Sequence, residues 1–383
     1  MKIWINVFVS LLGLLELRTT PSAAAQKTGG GSVIVRGALG GDIFGFDIDP
    51  NGNTGLLCEA VGHSDGTVSA AVETFDQTTG KILETVATSE TQDDFVTLGV
   101  TTDAIGIVEI EHVRGLFHVV RHFRVLNLIE GNMSHGLWSA PLDRHHVINQ
   151  VKPSAADTSD VAVYALSTSL TEPPVVFSSN VRRNTFGPVI PITDPVFTTE
   201  APPVIAYDSV RNRVILGHDF PSPFILPPRL AFVDLTTGAF AKRTGLGLGV
   251  INGIAVDTED NILCTDTSFD SAVQFYDLNN HTGINVLLPG ADPSGSLASG
   301  ADIAFDPINK LFLVAQEFSD GELSNGSSIQ VYDTAGNFVK SIDGLLFQGG
   351  FNVFPIHIAL NPARRSGFVN GPDLTKSLQW FTY

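Results

Sequence analysis

The stretch that decides the fold is Asn252-Gly-Ile-Ala-Val-Asp-Thr-Glu-Asp-Asn-Ile-Leu-Cys-Thr-Asp266, which continues to Val273-Gln-Phe-Tyr-Asp277. It contains an apolar run ending in Asp257, a short polar turn, a second apolar run and then a third. β-Branched and aromatic residues favour strands, and Asp, Asn and Gly close turns through hydrogen bonds and permissive backbone angles. No segment of the chain shows a helical period with caps. The stretch therefore predicts strands joined by tight turns.

Similar stretches recur along the chain. They are GFDIDPNGNTGLLCEA (45–60), a looser LGVTTDAIGIVEIEH (98–112), VIAYDSVRNRVILGHD (204–219), DIAFDPINKLFLVAQE (302–317) and HIALNPARRSGFVNGPD (357–373). Their turn residues are spaced by about 50 residues, except for one gap of 105 that fits two repeats. Four strands in each such unit predict an all-β, seven-bladed β-propeller. Six blades is the alternative, because the unit over 147–200 is inferred from spacing.

The two ends of the repeat array predict how the propeller closes. The last repeat offers three strands and ends in 378–383, while 32–36 is a spare strand near the start of the chain. Pairing these strands removes an exposed sheet edge. We therefore expect one propeller domain over 32–383, closed by its N- and C-terminal strands.

The first 25 residues have the features of a secretory signal peptide. Lys2 is followed by an apolar run over 3–15, and Ala23 and Ala25 have the spacing of a cleavage site. Residues 26–31 are a flexible, glycine-rich lead-in. No later run approaches the roughly 20 apolar residues of a membrane helix. We expect a secreted protein, extracellular or periplasmic, without a membrane span.

The composition excludes several classes of function. The chain of 383 residues has 40 acidic and 22 basic side chains and a net charge of −18, which argues against nucleic-acid binding. Cys58 and Cys264 fall in different repeats, so we expect two buried thiols and no disulfide. A nucleophile elbow, a Walker loop and a dinucleotide fingerprint are absent from the sequence.

The repeat unit resembles the blades of NHL-type propellers and of the wider gluconolactonase/regucalcin-like group. Residues 252–277 are similar to the pattern G-I-A-V-D…N-I-x-x-T-D…V-x-x-[FY]-D of such blades. In the lactonase branch, a Glu, an Asn and an Asp at the starts of inner strands hold one divalent metal. By this resemblance, Asn252 matches the metal-binding Asn of the lactonase branch. Asp302 lies one position from the expected Asp, since Ala301 occupies that place, and the Glu has no counterpart.

Propeller geometry places the candidate site residues on one face. Inner strands begin and second strands end on the same face, which we call the top face. Asn252, Asp302 and His357 lie at inner-strand starts. The second-strand ends and the loops after them supply the candidate ligand-binding residues Glu59, His218, Asp219, Asp266 and Glu317. Such oxygen-rich groups suit Ca²⁺. Binding of Zn²⁺ or Mn²⁺ would depend more on the histidines. An acidic funnel would also attract a cationic ligand.

These residues support two functions of different classes. The first, which we prefer, is a secreted, monomeric propeller that binds a small-molecule or protein ligand at its acidic top face, without catalysis or a cofactor. The second is a lactonase or esterase-like hydrolase that depends on Ca²⁺ or another divalent metal. There, Asn252 and Asp302 hold the metal, which polarises an ester carbonyl while His357 activates water. The sequence leaves open whether the protein is an enzyme.

Overall fold

The computed structural model describes residues 33–65, 67–89, 93–100, 105–113, 119–127, 132–133, 138–139, 161–166, 175–180, 185–193, 204–217, 229–244, 251–267, 272–287, 297–319, 327–345, 357–370 and 376–383. Outside a single 3-10 turn at Pro362–Arg364, these residues form strands, turns and irregular links, so the expected all-β class is confirmed. No helix within these ranges is long and apolar enough to cross a membrane. The proposed signal peptide and lead-in lie outside the described residues.

The described strands form seven antiparallel sheets, which we number along the chain. Sheet 1 contains β2 (Asp42–Ile48), β3 (Thr54–Gly62), β4 (Val68–Asp76) and β5 (Ile82–Ser89). Sheet 2 contains β6 (Asp93–Val100), β7 (Ile105–Val113), β8 (Val119–Asn127), β9 (Asn132–Met133) and β10 (Trp138–Ser139). Sheet 3 contains β11 (Val161–Leu166), β12 (Val175–Asn180), β13 (Thr185–Phe186) and β14 (Ile190–Pro191).

The remaining four sheets follow the same order of strands. Sheet 4 contains β15 (Val204–Asp208), β16 (Arg213–Gly217), β17 (Arg229–Asp234) and β18 (Phe240–Thr244). Sheet 5 contains β19 (Ile251–Asp257), β20 (Ile262–Thr267), β21 (Ala272–Asp277) and β22 (Thr282–Leu287). Sheet 6 contains β23 (Leu297–Asp306), β24 (Leu311–Ser319), β25 (Ser328–Asp333) and β26 (Phe338–Ile342). Sheet 7 contains β27 (Ile358–Asn361), β28 (Ser366–Asn370), β29 (Leu378–Thr382) and β1 (Ile34–Val35).

The hairpin between the first two strands of sheets 4 to 7 is closed by a recurring turn. The anchor is the last residue of the first strand, and its side chain accepts backbone N–H bonds from residues two or three positions later. Four residues after the anchor stands a residue with φ between 45° and 57°: Asn212, Asn261, Lys310 or Arg365. The spacing seen in the sequence is therefore a repeated local geometry, with one left-handed residue in each turn.

Apolar side chains fill the spaces between neighbouring sheets. Phe275 of sheet 5 packs against Phe312 and Tyr332 of sheet 6, with ring centroids 5.7 and 5.6 Å apart. Phe75 of sheet 1 packs edge to face on Phe368 of sheet 7 at 5.3 Å. Similar clusters join sheets 3 and 4, 4 and 5, and 6 and 7, and β2 lies beside β6. The core is thus a set of apolar layers, each between two sheets.

The first described strand lies in the same sheet as the last strand of the chain. Ile34 is paired with Gln379 and Val35 with Leu378, in antiparallel register. The chain then crosses from sheet 7 to sheet 1 over residues 36–41, and sheets 7 and 1 pack together through a shared apolar cluster.

Candidate functional site at the inner-strand starts

A β-bulge interrupts the first strand of four sheets. The register shifts between Ile43 and Gly45, Thr97 and Gly99, Ile251 and Gly253, and Gly300 and Asp302. Bulges change the direction of nearby side chains and are frequent beside functional sites. In sheets 5 and 6 the extra residues are Asn252 and Ala301, so these two residues occupy equivalent positions in their sheets.

The position four residues before the turn anchor carries a different residue in sheets 5, 6 and 7. Gly253 and Asp302 both precede the turn anchor of their strand by four residues, and His357 has this spacing in sheet 7. A Cβ on Gly253 would lie 2.9 Å from the backbone nitrogen of Ile303, so only glycine fits where sheets 5 and 6 approach each other. The same position in sheets 6 and 7 carries a carboxylate and an imidazole.

Asp302 and His357 are in direct contact. His357 Nδ1 lies 2.9 Å from Asp302 Oδ2, and the same oxygen accepts the backbone N–H of Ile358 at 2.9 Å. The Asp302 side chain is 5% exposed, whereas that of His357 is 38% exposed. A buried carboxylate of sheet 6 thus holds a half-exposed imidazole of sheet 7.

Two further contacts orient His357. Its backbone N–H donates to Asn370 Oδ1 at 2.7 Å, and its ring meets Phe46 of sheet 1 edge to face at 5.1 Å. The bond to the carboxylate favours a proton on Nδ1, which leaves Nε2 to accept a hydrogen bond when the ring is neutral and to donate one when it is protonated. Within the described part of the chain, Nε2 has no hydrogen-bond partner. The arrangement suits binding or proton transfer at Nε2.

For four of the other predicted site residues, the structure describes no side chain. Asn252 and Glu317 lie on β19 and β24, but their side chains fall outside the described part of the structure, as do His218 and Asp219 entirely. Among the described residues, no group of three or more His, Cys, Asp or Glu side chains is placed to hold a metal ion. The metal and ligand roles of these four residues stay predictions.

Glu59 is buried beneath residues 36–41. Its Oε1 accepts the backbone N–H of Leu39 at 2.6 Å, and its Oε2 accepts that of Gly41 at 3.0 Å. A ligand could reach this carboxylate only after the covering segment has moved. The ligand-binding role of Glu59 stays a prediction.

Sequence reasoning misses Glu73, which is fully buried beside Glu59. Its Oε2 accepts the N–H of Ala38 at 3.0 Å, and its Oε1 accepts the hydroxyl of Thr85 at 3.2 Å. Burial raises the pKa of Glu73 most, and the charge of Glu59 raises it further. The sequence does hold a signal in the third strands, which end in Asp76, Asp277 and Asp333. Glu73 stands three positions before Asp76, whereas Gln274 and Gln330 stand at the same place before Asp277 and Asp333.

Asp266 is fully buried near the end of β20. Its Oδ1 accepts the backbone N–H of Gly253, which ties the first two strands of sheet 5 together at the bulge. Burial and the charge of Asp266 raise the pKa of the Cys264 thiol well above its usual value. Cys264 and Cys58 are both buried and neither forms a disulfide, as the sequence predicted.

Comparison with known proteins identifies the fold. No protein family and no curated protein matches the chain. A chain in a crystal structure of a mitotic checkpoint complex is 12% identical, with a TM-score of 0.56 and coverage of 96% of this chain and 97% of its own length. The Cps50 (Swd1) β-propeller domain of Myceliophteria thermophila is 12% identical (TM-score 0.54, coverage 92% and 99%), and the Dos1 propeller is 11% identical (TM-score 0.55, coverage 91% and 94%). At such identities the likeness shows the β-propeller fold alone and does not single out the NHL or gluconolactonase-like group.

Proposed function

We propose that this β-propeller binds a ligand or partner at its top face, and that His357 is the central contact residue. The observation that carries the proposal is the half-exposed imidazole fixed by Asp302, Asn370 and Phe46. Three sheets contribute to this small region, which is typical of a site built at the mouth of a propeller channel. A side chain already held in one orientation loses little entropy when it binds.

The preferred ligand is cationic or rich in hydrogen-bond donors. Neutral His357 accepts at Nε2, and the net charge of −18 favours the approach of positive groups. The candidates Glu317, His218 and Asp219 would add polar groups around the same opening. Glu59 and Asp266 belong to this end of the sheets too, but their described bonds hold backbone N–H groups in place.

The domain around this site is inferred to be a closed ring of seven blades. Pairing of β1 with β29 and the packing of Phe75 on Phe368 support closure between sheets 7 and 1. We further propose that the mature protein begins after Ala25, is secreted and is a monomer.

Histidine-selective NMR tests the proposed site. The ¹⁵N-histidine-labelled protein is titrated with spermidine as a cationic probe, citrate as an anionic probe and glucose as a neutral one. We expect spermidine to shift the His357 signal, which is assigned by its loss in His357→Gln. His281, which lies in the hairpin at the opposite end of sheet 5, is the internal control. Shifts at His281 alone, or no shift of His357 with any probe, would contradict the proposal.

The second candidate function is a metal-dependent hydrolase of lactones or similar esters. It is favoured by the contact between Asp302 and His357 near the bulged Asn252, since a carboxylate that orients an imidazole assists proton transfer at Nε2. In this candidate, Asp302, whose side chain is 5% exposed, and Asn252 would be the residues that hold the metal. A bound divalent ion would supply polarisation of the ester carbonyl.

A lactone assay separates this candidate from simple binding. γ-Butyrolactone hydrolysis is measured with Ca²⁺, Mn²⁺ or EDTA in the wild-type protein and in Asn252→Ala and Asp302→Ala. Activity that needs the metal and is lost in both variants, with thermal stabilisation by the same ion, would establish the enzyme. Absence of turnover and of any shift in melting temperature would exclude it.

A further inference from the structure

Residues 36–41 form a strap across two neighbouring sheets. The strap leaves β1 in sheet 7, enters β2 in sheet 1, and covers Glu59 and Glu73 with three backbone N–H donors, those of Ala38, Leu39 and Gly41. Most of its residues are exposed, while both carboxyl groups beneath it are buried. The fit is tight, because a Cβ on Gly37 would lie 2.2 Å from the Glu59 carboxyl carbon.

The two carboxyl groups under the strap share one face of sheet 1. Leu57 is paired with Glu73 and Ala71 with Glu59, so the two side chains are diagonal neighbours on β3 and β4. Both side chains are fully buried, and the negative charge of Glu59 raises the pKa of Glu73. Two buried negative charges so close together are unfavourable, whereas a pair that retains one proton carries a single charge and an internal O–H donor.

We propose that residues 36–41 are a pH-operated strap, closed while Glu59 and Glu73 share one proton and released when that proton is lost to solvent. In the closed state the Glu73 hydroxyl donates to Glu59, and the strap supplies its N–H groups to the remaining oxygens. Loss of the proton leaves two repelling carboxylates in a buried site, and opening of the strap lets water reach them. Release would also uncover Glu59 at the top face.

The direction of the pH effect follows from the surroundings of the pair. Burial and Glu59 raise the pKa of Glu73, and the N–H of Ala38 and the hydroxyl of Thr85 oppose this. The strap and the strands of sheet 1 also carry Arg36, Asp42, Asp47, Cys58, Asp76 and Glu84. Sheet 7 carries His357, and β6, which packs beside sheet 1, begins with Asp93 and Asp94. Since the pKa of Glu73 is higher with the strap closed, closure is favoured at pH below the ordinary value of 4.5 and is lost as pH rises through the raised pKa. Each unit of difference between the pKa of Glu73 in the closed state and in the open state changes the opening equilibrium of the strap about tenfold.

Amide hydrogen exchange of the full-length chain tests the strap. Protection factors of Ala38 and Leu39, corrected for the intrinsic exchange rate, are measured between pH 5 and 9. We expect protection to fall by up to about tenfold for each pH unit across the transition. The amide of Gly80, which donates to the Asp76 carbonyl in a turn of the same sheet, should keep constant protection.

Substitution of Glu73 by glutamine supplies the decisive comparison. Gln274 and Gln330 occupy the corresponding positions of sheets 5 and 6, so the fold accommodates this side chain. In Glu73→Gln the amide donates to Glu59 at every pH, and strap protection should be high and independent of pH. The matched control Glu84→Gln, on the exposed side of β5, should behave like the wild-type protein.

Two outcomes would overturn the strap proposal. One is an equal pH dependence of Ala38 protection in the wild-type protein and in Glu73→Gln; the other is protection that increases with pH. If Glu73→Gln fails to fold, Glu59→Gln is the second test, because it removes the charge that raises the pKa of Glu73 beyond the effect of burial. The fall in strap protection should then move to lower pH, and a pH dependence identical to that of the wild-type protein would refute the proposal.

Discussion

Replacement of Asp302 by alanine is the sharpest test of how the candidate site is built. Asp302 Oδ2 accepts the N–H of Ile358 and contacts Nδ1 of His357, and the alanine variant removes both bonds. Ile358 is 3% exposed, so its N–H would lose its acceptor where water has little access. The asparagine variant keeps an oxygen at the same place and serves as the matched control.

The expected magnitude follows from the burial of each partner. A buried N–H left without an acceptor costs about 1–3 kcal/mol. The bond to His357 adds about 0.5–1 kcal/mol, because its imidazole is 38% exposed and partly screened by water. We therefore expect Asp302→Ala to lower the free energy of unfolding by about 2–3 kcal/mol and Asp302→Asn by about 1 kcal/mol.

Urea denaturation followed by tryptophan fluorescence measures these free energies. The amide exchange rate of Ile358 reports on the site itself. We expect this rate to increase in Asp302→Ala and to change little in Asp302→Asn. A double-mutant cycle with His357→Ala isolates the coupling between the two side chains. Equal stability of the alanine and asparagine variants would refute the reasoning, since it would mean that the oxygen kept in Asp302→Asn contributes nothing to stability.

Three further predictions concern buried groups elsewhere in the fold. Tyr383→Phe should destabilise the protein by about 1–3 kcal/mol in urea melts, because its buried hydroxyl donates to Asp306 at 2.8 Å; unchanged stability would show that bond to be dispensable. Gly37→Ala should lower strap protection at every pH, since the added Cβ meets Glu59; unchanged exchange at Leu39 would contradict this. Cys264 should resist iodoacetamide in the native protein and react after denaturation, because burial raises its pKa; rapid native alkylation, read by mass spectrometry, would refute its burial.

Equivalent positions in the repeats explain why some of the site is predictable. Asp302 and His357 stand four residues before their turn anchors, so alignment of the repeats on those anchors already places them at the same level of neighbouring sheets. Equivalent positions along the strands are not sufficient for their contact, because the bulge at Ala301 sets the position of the Asp302 carboxylate relative to sheet 7. Pattern reasoning also selects Glu59 as a ligand-binding residue, but it does not predict that residues 36–41 cover its carboxylate.

The sequence by itself determined the strands, the repeated turns and the all-β class. These features depend on hydrogen bonds between residues a few positions apart, such as those that the N–H groups of Ile308 and Asn309 donate to the Asp306 side chain. Tertiary structure alone decided which polar groups meet. Asp302 and His357 are separated by 55 residues, and Glu59 receives its N–H donors from a segment that leaves the last sheet. Such contacts depend on strand register, bulges and the packing of whole sheets, which a local pattern does not encode.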